Sequence, residues 1–427
     1  MLLEFRVKNY RSIRDQQVLS LLASSDKEHA ETHLTPTGLK TLSHAVRAAV
    51  IYGPNASGKS NLLQALAFMR AVVAESATVM QLGQTFNVQP FRLDAKTTAQ
   101  PTEFEVTFAQ EGTRYQYGFS FTPERVVDEW LLVYRTAKPQ QWFARRFDPK
   151  TQTYTYDFSS HLTGPRKLWQ ESTRPNALFL STAVQLNSEL LRPVFTWIVE
   201  KILHFGAGLS PTPDYTTELL KNASGKQAVR DFLTSADISI SDIEAVPRKG
   251  FRQQFVLSPA GGPVQGSREE HELLLPQFVH ETEHGSARFE LHEESLGTQR
   301  LYSLAAPVLD VLQNGKVLVV DELDSSLHTL LVRRLVGMFH NSTLNSHGAQ
   351  LIFSTHDTSL LEGSLFRRDQ IWFTEKNHDL STRLYPLTDF SPRKKEAWER
   401  GYLVGRYGAV PLFSEPTIEP PPAKSAN

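Results

Sequence analysis

The residues best suited to chemistry lie in one decapeptide, residues 51–60, which reads IYGPNASGKS. It matches the pattern G-x-x-x-x-G-K-[ST], in which successive backbone N–H groups surround the α- and β-phosphates of a nucleotide. The side chain of Lys59 can reach the β- and γ-phosphates, and the Ser60 hydroxyl can bind Mg²⁺. We interpret this stretch as a phosphate-binding loop with the following nucleotide-binding residues: Gly53, Pro54, Asn55, Ala56, Ser57, Gly58, Lys59, Ser60 and the adjoining Asn61.

The residues on either side of the loop support this interpretation. Residues 48–52 are apolar, as in a buried parallel strand, and residues 61–69 have the i, i+3, i+4 apolar spacing of an amphipathic helix. Gly53 and Gly58 allow close backbone approach, and a helix that begins at Lys59 directs its positive end at the phosphates. The alternative is a glycine-rich turn that precedes a helix by chance.

Two adjacent carboxylates follow a second apolar segment. Residues 317–320 read VLVV, and Asp321 and Glu322 come directly after them. In a Walker B motif the first acid holds Mg²⁺, and the second polarises the attacking water as a general base. A buried strand that ends in two acids is common by itself. The phosphate-binding loop upstream favours the catalytic interpretation.

A predicted helix begins near Ser295 and carries apolar residues between positions 301 and 312. It should stop at residues 314–315, an Asn-Gly pair. Ser295 is either a simple helix cap or a group that contacts a γ-phosphate together with the positive helix end. Further on, residues 350–354 form a predicted strand, and His356 follows it.

Composition restricts the protein class. The chain has 427 residues, and its 45 Lys and Arg nearly balance its 46 Asp and Glu, so no overall field attracts DNA or an anionic membrane. It contains no cysteine, which excludes disulfides and thiolate sites. No segment is apolar for the length that a bilayer requires. We therefore expect a soluble, cytoplasmic protein.

These motifs together resemble the ATP-binding-cassette ATPases. Residues 323–328 resemble the D-loop of that family, and Ser295, Gly297 and Thr298 resemble its signature motif, with only the serine and one glycine kept. The resemblance implies that His356 is the switch histidine, which contacts the γ-phosphate, and that Gln89 is a Mg²⁺ ligand. For Gln89 an ordinary surface glutamine is the competing interpretation.

Two further segments resemble particular branches of these ATPases. Residues 2–13 resemble the N-terminal strand of the structural-maintenance-of-chromosomes and RecF heads, which makes Arg11 and Ser12 candidate nucleotide contacts, a solvent-exposed hairpin being the alternative. Residues 368–376 and 405–411 resemble the RloA-like, abortive-infection AAA-type ATPases of bacterial phage-defence operons, relatives of the overcoming-lysogenization-defect ATPases.

The predicted fold class is α/β, an ATP-binding-cassette-type P-loop NTPase head with a mixed sheet, an antiparallel β meander and an inserted helical lid or arm. Period-two strands are predicted at 2–13, 17–21, 86–94, 102–108, 114–121, 126–134, 141–147, 277–283 and 287–293, with turns at 111–112 and 284–286. The expected parts are an N-terminal lobe (1–158), a helical insertion (159–245), a C-terminal lobe (246–413) and a disordered tail (414–427).

Three function classes follow. The first is a defence ATPase that uses ATP and Mg²⁺, forms a homodimer or higher oligomer, and acts on a separately encoded effector, such as a Toprim-type nuclease. The alternative is a RecF-like DNA-repair ATPase that binds DNA through a basic surface such as residues 393–395, for which an ordinary solvated charged face is the competing interpretation. The degenerate signature disfavours a transporter subunit. We do not expect a self-contained nuclease, because too few residues follow His356 to build a Toprim domain with its separated acidic motifs. A GTPase is disfavoured because no N-K-x-D motif occurs.

Overall fold

The structure is a computed structural model that describes residues 1–206, 211–256, 265–392 and 396–411. Its strands are β1 (Leu2–Lys8), β2 (Gln17–Ser20), β3 (Leu34–Pro36), β4 (His44–Val46), β5 (Ala48–Tyr52), β6 (Thr102–Gln110), β7 (Thr113–Phe121), β8 (Val126–Tyr134), β9 (Gln140–Asp148), β10 (Thr153–Phe158), β11 (Ile202–Phe205), β12 (Asp242–Val256), β13 (Gln265–Thr282), β14 (Gly285–Glu290), β15 (Val317–Val320), β16 (Gln350–Ser354), β17 (Ile371–Lys376) and β18 (Thr382–Pro386). Its α-helices are α1 (Ala30–His33), α2 (Lys59–Glu75), α3 (Ala95–Thr98), α4 (Arg166–Ser172), α5 (Phe179–Gln185), α6 (Arg192–Lys201), α7 (Pro213–Leu219), α8 (Ala223–Thr234), α9 (Leu296–Asn314), α10 (Thr329–His340) and α11 (Trp398–Leu403).

Six strands form a central sheet in the order β11, β15, β16, β5, β17, β18. Neighbouring strands are parallel, except that β17 and β18 form an antiparallel hairpin. Strands β5, β15 and β16 are buried along their whole length, as expected for parallel strands covered on both faces. Their carboxyl ends meet at one edge of the sheet, where β5 runs into the phosphate-binding loop and β15 into Asp321.

The second sheet is antiparallel throughout, with the order β10, β9, β8, β7, β6, β1, β2. It contains the predicted meander and the N-terminal hairpin, because β1 pairs with both β2 and β6. The turn between β6 and β7 is confirmed: Glu111 and Gly112 both have positive φ, 50° and 70°. Such a conformation matches the twist of a two-residue hairpin.

Two apolar cores cover the two faces of the central sheet, and the side chains of β5 alternate between them. Ala49 and Ile51 lie in a core shared with α2, α5, α6 and the meander sheet. Val50 and Tyr52 lie in a second core, shared with α8, α9, α10 and α11. The central sheet therefore lies between two apolar layers, and the phosphate-binding loop begins at the end of β5, a buried strand of that sheet.

A third sheet forms a long ribbon. β12 and β13 pair antiparallel from Asp242 opposite Val279 to Val256 opposite Gln265, and β14 pairs with β13 only between residues 277 and 282. The sequence predicted only the base of this ribbon, as strands 277–283 and 287–293. The last strand ends at Glu290 instead, because Leu291–Glu293 forms a 3₁₀ helix.

Other differences from the predicted elements concern residues 86–94 and 162–245. Residues 86–94 form an irregular loop and not the predicted strand. Their apolar pattern arises because the loop buries the side chains of Phe86 and Phe91. The region 162–245 is helical only in part, since β11 lies in it as an edge strand parallel to β15 and β12 begins at Asp242. Within the predicted helical insertion (159–245), α5 and α6 contribute buried residues to the core that contains α2.

The predicted α/β class is confirmed: β5 of the central sheet leads through the phosphate-binding loop into α2, and a separate sheet contains the antiparallel β meander. No helix in the described ranges has the length and apolar character needed to cross a bilayer. The basic residues 393–395 and the tail 414–427 lie outside the described residues.

Candidate nucleotide-binding site

The phosphate-binding loop has a conformation that depends on its two glycines. Gly53 has a φ of 156° and Gly58 a φ of 111°. A Cβ on Gly53 would lie 2.7 Å from Ser57 Oγ and closer still to Thr374, and a Cβ on Gly58 would lie 2.9 Å from the Cβ of Thr382. Because ordinary side chains cannot approach so closely, the loop backbone can lie directly against β17 and β18 only with glycine at both positions.

Hydroxyl groups attach the loop to the β17–β18 hairpin. The Oγ atoms of Ser57 and Thr374 are 2.6 Å apart, and Thr382 Oγ1 donates to the Ser57 carbonyl at 2.9 Å. Thr382 Oγ1 also lies 2.8 Å from Ser12 Oγ, which accepts a 2.7 Å hydrogen bond from Asn61 Nδ2. Ser12 and Asn61, both predicted nucleotide contacts, therefore belong to the same network as the loop.

Lys59 is buried at the start of α2. Its Nζ donates to the carbonyl oxygens of Gly53 at 2.7 Å and Pro54 at 3.3 Å. Burial lowers the pKa of Lys59, while the nearby carboxylates of Asp321 and Glu322 act in the opposite direction. A buried ammonium group that faces loop carbonyls and two carboxylates is suited to bind phosphate oxygens.

A cleft of about 530 Å³ opens beside the loop. Residues that line it include Arg11, Ser12, Ala56, Asn61, Gln89 and Lys376. The backbone N–H of Arg11 donates to the Gln89 carbonyl at 2.7 Å, and the Arg11 guanidinium contacts the side chain of Gln64 on α2. The structure thus brings five predicted site residues to one cleft beside the loop: Arg11, Ser12, Ala56, Asn61 and Gln89.

The carboxylate pair is held by a hydroxyl from the neighbouring strand. Ser354, the last residue of β16, donates to Asp321 Oδ1 at 2.5 Å and accepts a 2.7 Å hydrogen bond from the Glu322 N–H. Glu322 has a φ of 52°, a left-handed conformation that is costly for a residue with a side chain. Its carbonyl accepts a 2.9 Å hydrogen bond from the Arg300 guanidinium. The Asp321 carboxylate and the Glu322 backbone are therefore held at the carboxyl end of β15.

The residues present fit Mg²⁺. Oδ2 of Asp321 is buried and has no hydrogen-bond partner among the described residues, as expected of an oxygen that serves a cation. Ser60 lies in the first turn of α2. Where the structure is described, no group of three or more His, Asp or Glu side chains could hold a metal; Mg²⁺ typically takes few protein ligands and keeps water and phosphate oxygens. Gln89, the other predicted ligand, is exposed in the cleft.

The signature residues form the N-terminus of α9, where Ser295 is exposed and Gly297 and Thr298 are half-buried. Ser295 is the N-cap, and its Oγ accepts from the Thr298 N–H at 3.1 Å. A Cβ on Gly297 would lie 3.1 Å from the carbonyl oxygen of Ser326, so this turn lies against the D-loop of the same chain. In the described residues no hydrogen bond joins Ser295, Gly297 or Thr298 to the phosphate-binding loop. The helix ends as predicted, at Gly315 with a φ of 57°.

His356 follows β16, beside the strand that carries the loop. Its side chain is exposed, and its backbone N–H donates to Asp324 Oδ2 at 3.2 Å. The other carboxylate oxygen of Asp324 is buried without a hydrogen-bond partner in the described structure. The arrangement leaves the imidazole free to turn towards a bound phosphate.

Three residues that support the site were not identified from the sequence: Ser354, Thr374 and Thr382. Threonines in β-strands are common and carry no signal of their own. A hydroxyl directly after the three apolar residues 351–353 of its strand was the one available indication for Ser354. Each lies far along the chain from the residue that it contacts.

Of three comparisons with known proteins, two found a match. No curated protein sequence matches the chain. A crystal structure of an Smc head bound to the C-winged helix domain of ScpA covers 90% of this chain and 97% of its own, with 14% sequence identity and a TM-score of 0.40. A family model matches residues 48–362, well over half of the chain, from the phosphate-binding loop to beyond His356. The predicted resemblance to abortive-infection AAA-type ATPases is thereby confirmed, and the chain belongs to the family described as "AAA domain, putative AbiEii toxin, Type IV TA system".

Proposed function

We propose that the protein is a cytoplasmic, Mg²⁺-dependent ATPase of a bacterial anti-phage defence system, and that it couples ATP-dependent dimerisation to a separately encoded effector. The observation that carries this proposal is the position of Lys59. This buried cation donates to the Gly53 and Pro54 carbonyls of the phosphate-binding loop, and the carboxylates of Asp321 and Glu322 are near enough to favour its charged form and so oppose the effect of burial on its pKa. A nucleoside triphosphate with Mg²⁺ is the class of ligand that uses the loop, the lysine and the carboxylates at once.

Each group has a specific task in hydrolysis. The loop N–H groups and Lys59 bind the phosphates, and Lys59 exchanges its hydrogen bonds to Gly53 and Pro54 for bonds to phosphate oxygens. Glu322 accepts a proton from the water that attacks the γ-phosphate. Ser60 and Asp321 would hold Mg²⁺, which neutralises charge on the β- and γ-phosphates. His356 donates to the γ-phosphate, and the cleft beside Arg11 and Ser12 accommodates the rest of the nucleotide.

The second part of the proposal is a homodimer with two composite sites. The signature turn is exposed at Ser295 and makes no hydrogen bond to the loop of its own chain in the described structure, so Ser295, Gly297 and Thr298 serve the nucleotide of a second subunit. Leu296 beside them is 70% exposed, and Leu330, next to the D-loop, is 67% exposed. Closure of a second subunit over this face would cover both leucines.

The family description, which names a toxin of a type IV toxin–antitoxin system, supports the defence role. The effector is a second protein, and a Toprim-type nuclease is the class we propose. DNA binding by the ATPase itself is the alternative.

Phosphate release by the purified protein tests the core of the proposal. We expect Mg²⁺-dependent ATP hydrolysis that EDTA abolishes, and we expect Lys59→Ala to remove most ATP affinity or turnover while the circular dichroism spectrum is retained. Hydrolysis that persists unchanged in Lys59→Ala would refute the loop assignment.

The partner is tested with two matched baits, Glu322→Gln with ATP and Lys59→Ala with ATP, in pull-downs from the native host. A nuclease enriched on the first bait alone supports effector coupling. Recovery of no protein on either bait, together with a salt-dependent DNA mobility shift, favours the DNA-binding alternative.

A further inference from the structure

The third sheet is a ribbon made of β12, β13 and β14, and the chain passes from β14 to the signature turn. β14 pairs with β13 only at the base of the ribbon. The rest of the ribbon, from the pair Ala245–Pro276 to the pair Val256–Gln265, consists of β12 and β13 alone. At about 3.3 Å per residue this extension measures roughly 40 Å. At its base the chain passes from β14 through the 3₁₀ helix Leu291–Glu293 to Ser295. Ser295 is thus separated from the ribbon by only a single helical turn.

Side chains at the base of the ribbon hold this turn. The imidazole of His280, on β13, contacts Glu294 Oε1 through Nε2 at 2.7 Å and the Ser239 carbonyl through Nδ1 at 2.8 Å. Glu294 directly precedes Ser295. Phe278, two residues before His280, packs edge-on against Tyr302 of α9 with ring centroids 5.2 Å apart. The ribbon is therefore bound to both the start and the body of α9.

The residues that follow this turn on α9 reach the backbone of Glu322, the proposed general base. Gln299 Nε2 donates to the Glu294 carbonyl at 2.8 Å, and the next residue, Arg300, donates to the Glu322 carbonyl at 2.9 Å. The Glu322 backbone is left-handed, which needs support from its surroundings. Arg300 supplies part of that support from α9.

We propose that Arg300 is a positioning residue for Glu322 and that His280 and Glu294 form a joint through which the ribbon acts on it. The inference rests on the proposed ATPase function, in which Glu322 is the general base. Its consequence is regulation: displacement of the ribbon changes the turnover of its own subunit without altering a contact to the nucleotide bound by that subunit's own phosphate-binding loop. The signature turn serves the opposite composite site, so the same joint links the two sites of a dimer.

Hydrogen exchange tests the joint without requiring turnover. In His280→Leu and in Arg300→Met we expect exchange of amides in residues 317–330 to accelerate by roughly three- to thirtyfold, the range of moderate coupling energies. The matched control is Arg288→Gln, which removes a 3.4 Å ion pair with Glu244 within the ribbon base and leaves α9 untouched. Unchanged exchange in both test variants, or equal acceleration in the control, would overturn the proposal.

Kinetics test the positioning role. Arg300→Met should lower kcat about tenfold with KM for ATP within about twofold, and Arg300→Lys, which can still donate to the carbonyl, should recover most of the loss. The double variant His280→Leu with Arg300→Met should be little worse than Arg300→Met alone, since both act through one joint. Additive losses, or a change in KM alone, would refute it. If the wild type shows no hydrolysis while the exchange effect is present, the proposed ATPase function fails and the joint stands.

Discussion

Ser354 Oγ and Asp321 Oδ1 are 2.5 Å apart, and this short hydrogen bond joins the ends of β16 and β15. The bond uses one oxygen of the carboxylate and orients the other, which is buried without a protein partner in the described structure. The same hydroxyl accepts the Glu322 N–H. One side chain therefore orients the Asp321 carboxylate and holds the Glu322 backbone.

Ser354→Ala should raise the Mg²⁺ concentration required for half-maximal ATPase activity by about tenfold and lower kcat by a similar factor, because a lost second-layer hydrogen bond typically costs this much at a metal site. Magnesium titration of phosphate release is the measurement. Ser354→Thr keeps the hydroxyl and serves as the control. An alanine variant with the wild-type magnesium dependence would exclude Ser354 from the site.

Glu322→Gln should bind ATP and lose most of its turnover, because an amide cannot accept the proton of the attacking water. We expect the variant to accumulate as an ATP-bound dimer, visible by light scattering. Turnover equal to that of the wild type would remove Glu322 from the role of general base.

Thr382→Val should weaken ATP affinity by about tenfold, because it removes the hydroxyl that joins Ser12 to the Ser57 carbonyl at nearly constant volume. Thr382→Ser should retain affinity. Equilibrium titration with a fluorescent ATP analogue distinguishes the two. Equal affinity in both variants would mean that the hairpin does not shape the loop.

Composite sites predict recovery of activity on mixing. Lys59→Ala damages both sites of its homodimer through the loop, and Ser295→Asp should damage both through the signature, since aspartate still caps the helix but repels a γ-phosphate. We prefer Ser295→Asp to Gly297→Asp, because a Cβ on Gly297 would press on the Ser326 carbonyl.

A heterodimer of the two variants concentrates both defects in one site and leaves the other intact. Random subunit exchange should therefore restore roughly a quarter of wild-type ATPase if the sites act independently. The control is a heterodimer of wild type with either variant. If exchange is demonstrated and that control hydrolyses ATP, a mixture as inactive as its parents would refute the composite sites.

Stability should fall under mildly acidic conditions. The rings of His33 and His340 stack with centroids 3.6 Å apart, and burial lowers the pKa of His33 to about 4 and that of His340 well below its ordinary value. Unfolded histidines titrate near 6.5. Between about pH 6.5 and 4 the unfolded chain therefore binds more protons than the native one, and the free energy of unfolding decreases as the pH falls.

Urea denaturation of the wild type and of His33→Gln at pH 7.5 and 5.5 measures this effect. The wild type should lose more stability between the two pH values than His33→Gln does. His44→Gln, at an exposed position, is the control. An equal loss in wild type and His33→Gln would show that His33 makes no contribution.

The elements that the sequence predicted well are those whose signal lies in consecutive residues. The loop at 53–60, the strand before Asp321 and the strand 350–354 each combine a local apolar pattern with a specific following residue, and the structure has all three as predicted. The roles of these site residues in catalysis stay predictions.

Contacts between distant residues were beyond sequence patterns. Thr382 lies 325 residues from Ser57, and nothing in either neighbourhood indicates the other. The four residues of β11 are too few to show a period of their own, and they became a strand because β15 offers an edge. The extension of the ribbon beyond its base was not predicted, for the same reason. The register of this extension depends on the pairing of β12 with β13, which place fifteen residues opposite one another, and neither strand shows that pairing alone.

The dependence of the loop on Thr374 and Thr382 also matters during synthesis on the ribosome. A nascent chain possesses the complete motif once Ser60 is made, yet the hairpin that shapes the loop follows more than three hundred residues later. At about 5–20 residues per second this delay is roughly 15–65 seconds. Incomplete chains therefore carry an unsupported motif, and a premature stop before residue 371 should release a product that cannot compete for cellular ATP.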